Sequence, residues 1–547
     1  MVWRREDPQG NEAGKIRWEL VKWTRGKGLD IGCGAYKAFP HFIGLDNGAD
    51  IALFGHQFRP DVWIDDATDL RLFATDQFDF VFSSHLLEHI EESKVVKALK
   101  EWLRVIKVGG HLILYLPADD LYPKVGEEGA NRDHKWNVNY DVLIEVMEKA
   151  GHWDLRDFQK RDQGTEYSLY FVFQKRKDGH LHSWSRPKPN VKRAGVVRYG
   201  AYGDVLQASS VFSGLKQQGY HVTVFCSAPG SDVILHDPNI DEFYYQDKDQ
   251  VPNTALGDFW AYHEKRFDKW VNLSESAEGN LLAIPGRSQH MWPPAARHRM
   301  MDINYLEFQH LIAGVPHVPA VKFYATDAER EWAKTERAKR PGFTVVWSMA
   351  GSAVHKKWLW VDNVIATMLV DYPDIQFVIV GGPDCILLEQ GWFKTHDGEP
   401  LRDIVGRRIM VEPRVLCTSG EWSIRETMAF CEQADLIIGP ETGVLNMASM
   451  LPIPKVVFLS HSTDENLTRD WVNTHVLYSD VTECPGRGKN EAPACHQLHY
   501  SWEHCKQADG PDGLPMGIAQ CQADIPPELV IKVLWHAIQH AKEAKAA

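Results

Sequence analysis

The chain has 547 residues, which is too long for one hydrophobic core and predicts about three compact units of ~150–200 residues each. Its formal net charge of −14 argues against a general nucleic-acid or membrane-surface binder, because binding to phosphates needs clustered Lys and Arg, although a local basic cleft stays open. No apolar run approaches the ~18 residues of a membrane helix, and the N-terminal sequence lacks a secretory signal. We therefore expect a cytoplasmic protein without a transmembrane segment.

Residues 1–176 are predicted to form one α/β domain. The short apolar runs "GLDIG", "FIGLD", "FDFVFSS" and "GGHLILYLP" are typical of parallel strands, and "KVVKALKEWLRVI" and "VLIEVMEKAGHW" have helical spacing. The pair "DLRDFQKR" and "YSLYFVFQKR" could close the sheet as an antiparallel hairpin. Residues 177–193 are polar, contain two prolines and have the composition of a linker.

A glycine turn follows the first predicted strand, in "LDIGCG". Gly32 permits a tight turn there, and Gly34 lets the backbone approach a ligand closely. Asp46 ends the next strand, where a carboxylate can accept both hydroxyls of a ribose, and Asp66 follows a third strand. Only fifteen residues separate Asp30 from Asp46, so we expect "AYKAFPHF" to be a loop in place of the usual helix.

These motifs, followed by "SSHLLEHI" and "K-x-G-G", stand in the order found in class I S-adenosylmethionine-dependent methyltransferases, which residues 25–176 resemble. The resemblance implies a Rossmann-like fold and S-adenosylmethionine as cofactor. A dehydrogenase fits less well, because Lys37 stands where the third glycine of G-x-G-x-x-G belongs. The residues implied to bind the cofactor are Asp30, Gly32 and Gly34 at the methionine end, Asp46 at the ribose, Asp66 and Ala67 at the adenine, and Ser84 and His85 near the sulfonium.

Several side chains after the fourth predicted strand could act as a general base on an acceptor hydroxyl. The candidates are His85, Glu88, His89 and His134, of which we assign His85 the catalytic role. Glu88 and His89 could also merely cap or face the start of a helix. The sequence lacks the N/D-P-P-Y/F motif of amino-methylating enzymes, so transfer to a hydroxyl of a small molecule is the better prediction.

The rest of the chain predicts two further Rossmann-like lobes that face each other across a cleft, residues 194–325 and residues 326–547. In the first lobe, "RYGAYGDVLQ" combines a strand, a glycine-rich turn and a helix that begins near Asp204. In the second lobe, hydroxyl, backbone and lysine groups are suited to phosphate. These groups belong to Ser348, Gly351, Ser352, Lys356, Lys357 and Gly443.

Residues 194–540 resemble the lipopolysaccharide heptosyltransferase family of GT-B glycosyltransferases, in which the first lobe binds the acceptor and the second the nucleotide-sugar donor. The matching motifs are "G-D-V/L-L" at Gly203–Leu206, "K-x-W" at Lys356–Trp358 and "E-T-G-V-L-N-M-A" at Glu441–Ala448. The family has D-T-G-x-x-H-x-A at this last position, so Glu441 replaces an aspartate and Asn446 a histidine.

The second resemblance implies an inverting sugar transfer. Asp204 would take the proton of the acceptor hydroxyl, and Lys356, with Lys357 as its neighbour, would stabilise the departing nucleotide diphosphate. The backbone amides of Thr442 and Gly443 would assist. Asp204 could also be only a helix cap, and "PETG" only a turn between strand and helix.

Four of the nine cysteines lie near the C-terminus, at Cys484, Cys495, Cys505 and Cys521. A cysteine-bearing tail also belongs to the second resemblance. The spacings include no C-x-x-C pair, so whether these residues bind zinc stays open, and no metal ligand is assigned from the sequence.

The sequence thus predicts a bifunctional enzyme. One part would transfer a methyl group from S-adenosylmethionine to a hydroxyl, and the other a sugar from a nucleotide-diphosphate sugar to a glycan or glycoconjugate. One alternative keeps both chemistries but acts on DNA bases, which the negative charge disfavours without excluding nucleic acid as a partner. Another is a glycosyltransferase whose methyltransferase domain is degenerate and non-catalytic. The sequence names neither the sugar, the nucleotide, the acceptor nor the methylated atom.

Overall fold

The computed structural model describes residues 11–49, 60–182, 191–275, 292–293, 296, 303–388, 401–402, 408–409, 413–479, 502 and 505–546. The chain forms two compact units. Unit 1 comprises Met1–Asn190 with Tyr245–His263, and unit 2 comprises Val191–Tyr244 with Glu264–Ala547.

Among the described residues, the strands lie in three larger sheets and two short two-stranded sheets. They are β1 Gly28–Ile31, β2 Ile43–Asp46, β3 Val62–Trp63, β4 Phe78–Ser84, β5 Ile106–Pro117, β6 Trp153–Arg161, β7 Ser168–Lys175, β8 His180–His182, β9 Arg193–Val197, β10 His221–Cys226, β11 Glu242–Tyr245, β12 Lys269–Asn272, β13 Phe343–Ser348, β14 Ile375–Val380, β15 Leu401–Arg402, β16 Arg408–Ile409, β17 Val415–Cys417, β18 Leu436–Pro440, β19 Lys455–Phe458, β20 Thr474–Leu477, β21 Gln507–Asp509 and β22 Pro515–Ala519.

Helices connect these strands. They are α1 Glu12–Lys15, α2 Arg17–Leu20, α3 Glu92–Val105, α4 Tyr140–Ala150, α5 Tyr202–Gln217, α6 Ala228–Ser231, α7 Leu256–Glu264, α8 Tyr305–Ala313, α9 Asp327–Ala338, α10 Val361–Asp371, α11 Ile424–Cys431, α12 Gly443–Ala448, α13 Gln520–Ala523 and α14 Pro527–Ala546. No helix among the described residues has both the length and the apolar character needed to cross a membrane.

Unit 1 is built on an eight-stranded sheet with the order β3-β2-β1-β4-β5-β7-β6-β8. Strands β1 to β5 are parallel, and β7 runs antiparallel to both β5 and β6. The predicted parallel strands and closing hairpin are therefore confirmed. The strand order reverses between β1 and β4, and in open α/β sheets ligands bind beyond the carboxyl ends of the strands at such a switch point.

The core of unit 1 follows from the spacing of apolar residues on α3. Val95, Leu99 and Trp102 recur every three to four residues, and all three are fully buried. The indole of Trp102 donates a hydrogen bond of 2.8 Å to the carbonyl of Ala67. Between β1 and β2 the described chain forms turns and no helix, as the short spacing predicted.

Unit 2 contains two Rossmann-like lobes, which confirms the predicted α/β class. The first sheet has the order β11-β10-β9-β12 and the second the order β17-β14-β13-β18-β19-β20. Parallel pairs join β9 to β10 and β12, and parallel pairs join the strands of the second sheet. Stacked rings of Trp347, Trp358 and Phe458 fill the centre of the second lobe.

One ion pair links two helices of the second lobe. Arg425 at the start of α11 donates to Glu329 on α9, with 2.8 Å between Nη2 and Oε2, and it also donates to the carbonyl of Tyr324. The Glu329 carboxylate is 19% exposed and also accepts from the backbone of Thr326. The hydrogen bond from Arg425 lowers the pKa of Glu329 to about 2.

We expect Glu329→Gln to destabilise unit 2 by about 2 kcal/mol at pH 7, because the substitution removes a charge-assisted, partly buried pair. A carboxylate with a depressed folded-state pKa stabilises the fold above its unfolded pKa, and that contribution is lost as the pH falls through the folded pKa. The difference in melting temperature from the wild type should therefore narrow between pH 4.5 and about 2. Scanning calorimetry measures it. Glu331→Gln, at an exposed position of the same helix, is the control and should melt like the wild type at every pH.

Candidate functional site

Two glycines shape the crevice at the end of β1 in unit 1. Gly32 has φ +73°, and a Cβ atom there would lie 2.8 Å from the side chain of Leu86, in the loop after β4. Gly34 has φ +55°, and a Cβ atom there would meet nothing within 4 Å. Gly32 is therefore required by close packing, whereas Gly34 leaves open space beside its backbone.

The acidic residue of β1 holds the loop that stands in place of a helix. Asp30 is 2% exposed, and its carboxylate accepts a hydrogen bond of 3.0 Å from the backbone of Ala38. Burial raises the pKa of Asp30 to about 7. The contact that the structure gives Asp30 is thus with the loop itself.

Asp46, at the end of β2, joins two turns. Its Oδ2 accepts from the amide of Gly34 at 3.0 Å and its Oδ1 from the amide of Gly48 at 2.9 Å. The carboxylate therefore stands next to the open backbone at Gly34. A carboxylate has about four lone-pair sites, so ribose hydroxyls can still donate to it.

The two residues predicted to bind adenine also have local partners. Asp66 is exposed and accepts from both the amide and the hydroxyl of Thr68, at 2.8 and 2.9 Å. These hydrogen bonds, the backbone one foremost, lower the pKa of Asp66. The carbonyl of Ala67 receives the indole of Trp102, so this loop is fixed against α3.

Beyond β4, on the other side of the switch point, the backbone is strained. His85 has φ +50°, an unusual conformation for a residue with a side chain. Its Nε2 lies 3.0 Å from the hydroxyl of Ser168, and its ring makes edge contacts with Tyr115 and Tyr167. The hydroxyl of the neighbouring Ser84 is buried and hydrogen-bonds to no described group.

The four base candidates of unit 1 come together around Glu88. This carboxylate is fully buried, and its Oε1 lies 3.4 Å from Nδ1 of His85 and 3.9 Å from Nε2 of His134. The rings of His89 and His134 lie 5.0 Å apart. Burial lowers the pKa of His134, and positive charge on His89 or His85 lowers it further. The negative charge of Glu88 raises the pKa of His134 and so acts in the opposite direction.

Two tyrosines beside this cluster were not predicted from the sequence as site residues. The rings of Tyr122 and Tyr167 stack with centroids 4.9 Å apart, and Tyr122 also contacts His134. They lie in loops after β5 and before β7, and nothing in the sequence around them signals a site. Only the sheet order places these loops together.

A cavity of about 1100 Å³ lies between the two lobes of unit 2, at the carboxyl ends of β9, β13, β14 and β18. Most of the residues predicted for this site line it. They are Asp204, Ser348, Gly351, Ser352, Lys356, Glu441, Thr442, Gly443 and Asn446. Lys357 is not among the described lining residues, and its backbone pairs with Ala350 in an isolated β-bridge.

Asp204 lies in the first turn of α5. Its Oδ1 is 2.9 Å from the guanidinium of Arg198, and its Oδ2 accepts a hydrogen bond of 2.8 Å from the amide of Ala201. Arg198 is 4% exposed, so this pair sits at the inner wall of the cavity. The carboxylate caps the helix and faces the cavity at the same time.

The starts of α5 and α12 approach each other closely. A Cβ atom on Gly443 would lie 2.9 Å from the side chain of Tyr202, and one on Gly203 would lie 3.0 Å from Asn446. The Asn446 amide accepts from Gln207 at 2.7 Å and donates to the carbonyl of Thr442 at 2.9 Å. Asn446 therefore ties the two lobes together at this point.

Glu441, at the end of β18, is buried in a polar network that sequence reasoning missed. Its Oε1 accepts from the hydroxyl and the amide of Ser460, at 2.6 and 2.7 Å, and lies 3.0 Å from Nδ1 of His461. Burial alone would raise the pKa of Glu441, but His461 and the nearby Lys356 hold it well below its usual range. The signal in the sequence was "LSHS", directly after β19.

Residues 29–114 match the family model described as "Methyltransferase domain", so unit 1 contains a methyltransferase domain. The search of curated proteins gave no match.

Several solved structures are similar to parts of this chain. The E. coli ADP-heptose lipopolysaccharide heptosyltransferase II is 14% identical, with 64% of this chain and 99% of that chain covered and a TM-score of 0.44. A glycosyl transferase family 9 protein from Veillonella parvula is 13% identical, with 64% and 97% covered and a TM-score of 0.43. A SAM dependent methyltransferase from Archaeoglobus fulgidus is 18% identical, with 30% and 92% covered and a TM-score of 0.24. Because these TM-scores lie below 0.5, any function inferred for unit 2 depends on the geometry of its own residues.

We expect Gly32→Ala to lower the melting temperature of unit 1 and to weaken binding of S-adenosylhomocysteine at least tenfold, because the methyl group would displace Leu86 and the loop that carries His85. Gly34→Ala is the matched control for stability. It has a similar positive φ but no collision within the protein, so its loss of stability should be that of the strain alone, about 1 kcal/mol. Thermal melts of both variants measure stability, and calorimetric titration of Gly32→Ala measures ligand binding. Equal losses of melting temperature in the two variants would contradict the packing role of Gly32.

Proposed function

We propose that the protein is a bifunctional transferase. Unit 1 transfers a methyl group from S-adenosylmethionine to a hydroxyl, and unit 2 transfers a sugar from a nucleotide-diphosphate sugar to a glycan or glycoconjugate. The observation that supports the first activity is the family match over residues 29–114, together with functional groups on both sides of the switch point. The second is supported by the cavity of about 1100 Å³ between two parallel-sheet lobes.

The residues of unit 1 fit the cofactor. The open backbone at Gly34 gives room for close approach, and the Asp46 carboxylate beside it suits a ribose. The buried hydroxyl of Ser84 hydrogen-bonds to no described group, which suits a ligand at the same edge of the sheet. S-adenosylmethionine supplies an electrophilic methyl group on a sulfonium.

His85 is the base that we propose for methyl transfer. The contact of its Nε2 with Ser168 and the edge contacts of its ring with Tyr115 and Tyr167 fix the orientation of the ring. An imidazole held in this way can act as the general base that accepts the proton of an acceptor hydroxyl. The stacked rings of Tyr122 and Tyr167 provide a flat wall against which a sugar or another ring can lie.

In unit 2, the donor diphosphate would bind at the loops after β13 and β18. Lys356 provides the positive charge, and the hydroxyls of Ser348 and Thr442, which lie 3.1 Å apart, provide donors. Charge-assisted hydrogen bonds of this kind stabilise the diphosphate as it leaves. The low pKa of Glu441 keeps this carboxylate charged, so it can accept from sugar hydroxyls.

Asp204 is the base that we propose for sugar transfer. The acceptor hydroxyl would share the carboxylate with Arg198 and Ala201, give up its proton and attack the anomeric carbon from the face opposite the diphosphate. The new bond from the acceptor oxygen to the sugar forms as the bond to the diphosphate oxygen breaks, which inverts the anomeric centre.

Asp46→Asn should weaken the binding of S-adenosylhomocysteine about 10–100-fold, because the amide replaces a charged acceptor of ribose hydroxyls. Isothermal titration calorimetry on the full chain measures the affinity. Asp65→Asn, an exposed acid in the loop after β3, is the control and should leave the affinity within about twofold. Wild-type protein that fails to bind S-adenosylhomocysteine would refute the first activity and favour a non-catalytic unit 1.

Lys356→Met should weaken the binding of a nucleoside diphosphate about 10–100-fold, and Lys357→Met should change that affinity little. Of these two lysines, Lys356 lines the cavity and Lys357 is not among the described residues that line it. ADP, GDP, UDP and CDP are titrated separately, and the one that binds the wild type most tightly serves for the variants. Equal losses from both substitutions would mean that general surface charge, and not this site, holds the diphosphate.

A further inference from the structure

The side-chain cluster around Glu88 contains the donor set of a metal centre. We propose that Glu88, His89 and His134 bind one divalent transition-metal ion of the zinc class, next to His85 in the methyltransferase unit. One donor atom from each of the three side chains lies within 4.8 Å of the other two. Ligand atoms around a tetrahedral zinc ion stand about 3.4 Å apart, so small side-chain rotations bring the set to bonding distance.

An independent observation is that Glu88 lacks hydrogen bonds. The side chain is fully buried, and neither carboxylate oxygen accepts a hydrogen bond from any described group. The histidine nitrogens nearest to Oε1, at 3.4 and 3.9 Å, are too far or too poorly aligned to donate. Burying a carboxylate without partners is unfavourable, and a bound cation offsets that cost.

The second histidine cluster of the described residues provides a contrast. His355, Glu441 and His461 in unit 2 also lie within 4.8 Å of one another. There, however, the Oε1 atom of Glu441 accepts from the hydroxyl and the amide of Ser460. That carboxylate is stabilised by the protein itself, whereas the carboxylate of Glu88 is not.

The donor types favour zinc or a similar ion over magnesium or calcium. Two imidazoles and one carboxylate form a set found in catalytic zinc sites, which keep one coordination position open, whereas magnesium and calcium prefer oxygen ligands. His85, with Nδ1 3.4 Å from Glu88, would orient the carboxylate from outside the ligand set. The open position would hold the acceptor hydroxyl. The role of the ion in holding the acceptor hydroxyl depends on the proposed methyl transfer. The binding of the metal ion itself does not depend on it.

The test is calorimetric titration of the chelator-treated full chain with ZnCl₂. The wild type should bind zinc in a site that Glu88→Gln and His134→Gln each remove, which lowers the stoichiometry by one equivalent or the affinity at least 100-fold. Glu145→Gln and His152→Gln, at exposed positions of unit 1, should titrate like the wild type. Zinc binding that is unchanged in both Glu88→Gln and His134→Gln would overturn the proposal. It would also be overturned if His461→Gln, in unit 2, removed the zinc site and neither of these two variants did.

Thermal melts give a second readout that does not depend on activity. Without metal, Glu88→Gln should melt no lower than the wild type, because a neutral amide costs less to bury than an unpaired carboxylate. Zinc should raise the melting temperature of the wild type and not that of Glu88→Gln. If Glu88 only forms a structural pair with its histidines, the variant will melt lower without metal and zinc will shift both proteins equally, which overturns the proposal.

Binding of S-adenosylhomocysteine separates this proposal from the proposed function. It serves as the folding check for both variants, since neither substitution touches Asp46 or the glycine turn. A wild type that binds zinc at Glu88 but not S-adenosylhomocysteine would leave the metal site standing and refute methyl transfer. If Glu88→Gln fails this check, His134→Gln decides.

Discussion

Parallel strands deliver all of their following loops to one edge of the sheet, and this constraint determines where polar groups meet in the protein. Several acidic residues at that edge are buried or half-buried, so each of these needs partners. Asp30 and Asp46 find theirs in backbone amides, and Glu441 finds its partners in Ser460 and His461. Glu88 has histidines beside it but accepts no hydrogen bond from described groups. The chemistry that we infer for each acid follows from how its charge is satisfied.

Glycine serves two different purposes at these edges. In unit 1, Gly32 leaves room for Leu86, so the loops after β1 and β4 can lie side by side at the switch point. In unit 2, Gly203 and Gly443 let the first turns of α5 and α12 come together across the two lobes. In both cases a side chain would separate elements that jointly form the site.

Strain and electrostatics then prepare individual side chains. The positive φ of His85 costs on the order of 1–3 kcal/mol, and its contacts with Ser168 and two tyrosine rings hold it in place. In unit 2, His461 and Lys356 hold the pKa of the buried Glu441 well below its usual range, so this carboxylate stays ionised inside the cavity. Both arrangements hold reactive groups in position before any ligand binds.

The sequence by itself determined the α/β class, the main parallel strands and many of the residues at their ends, because alternating apolar runs, glycine turns and terminal acids are local patterns. The tertiary structure alone decided which distant residues meet. His134 reaches Glu88 and His461 reaches Glu441 only through the strand order, which no local pattern encodes. It also supports the preference for Lys356 over Lys357, because Lys356 lines the cavity and Lys357 is not among the described residues that line it.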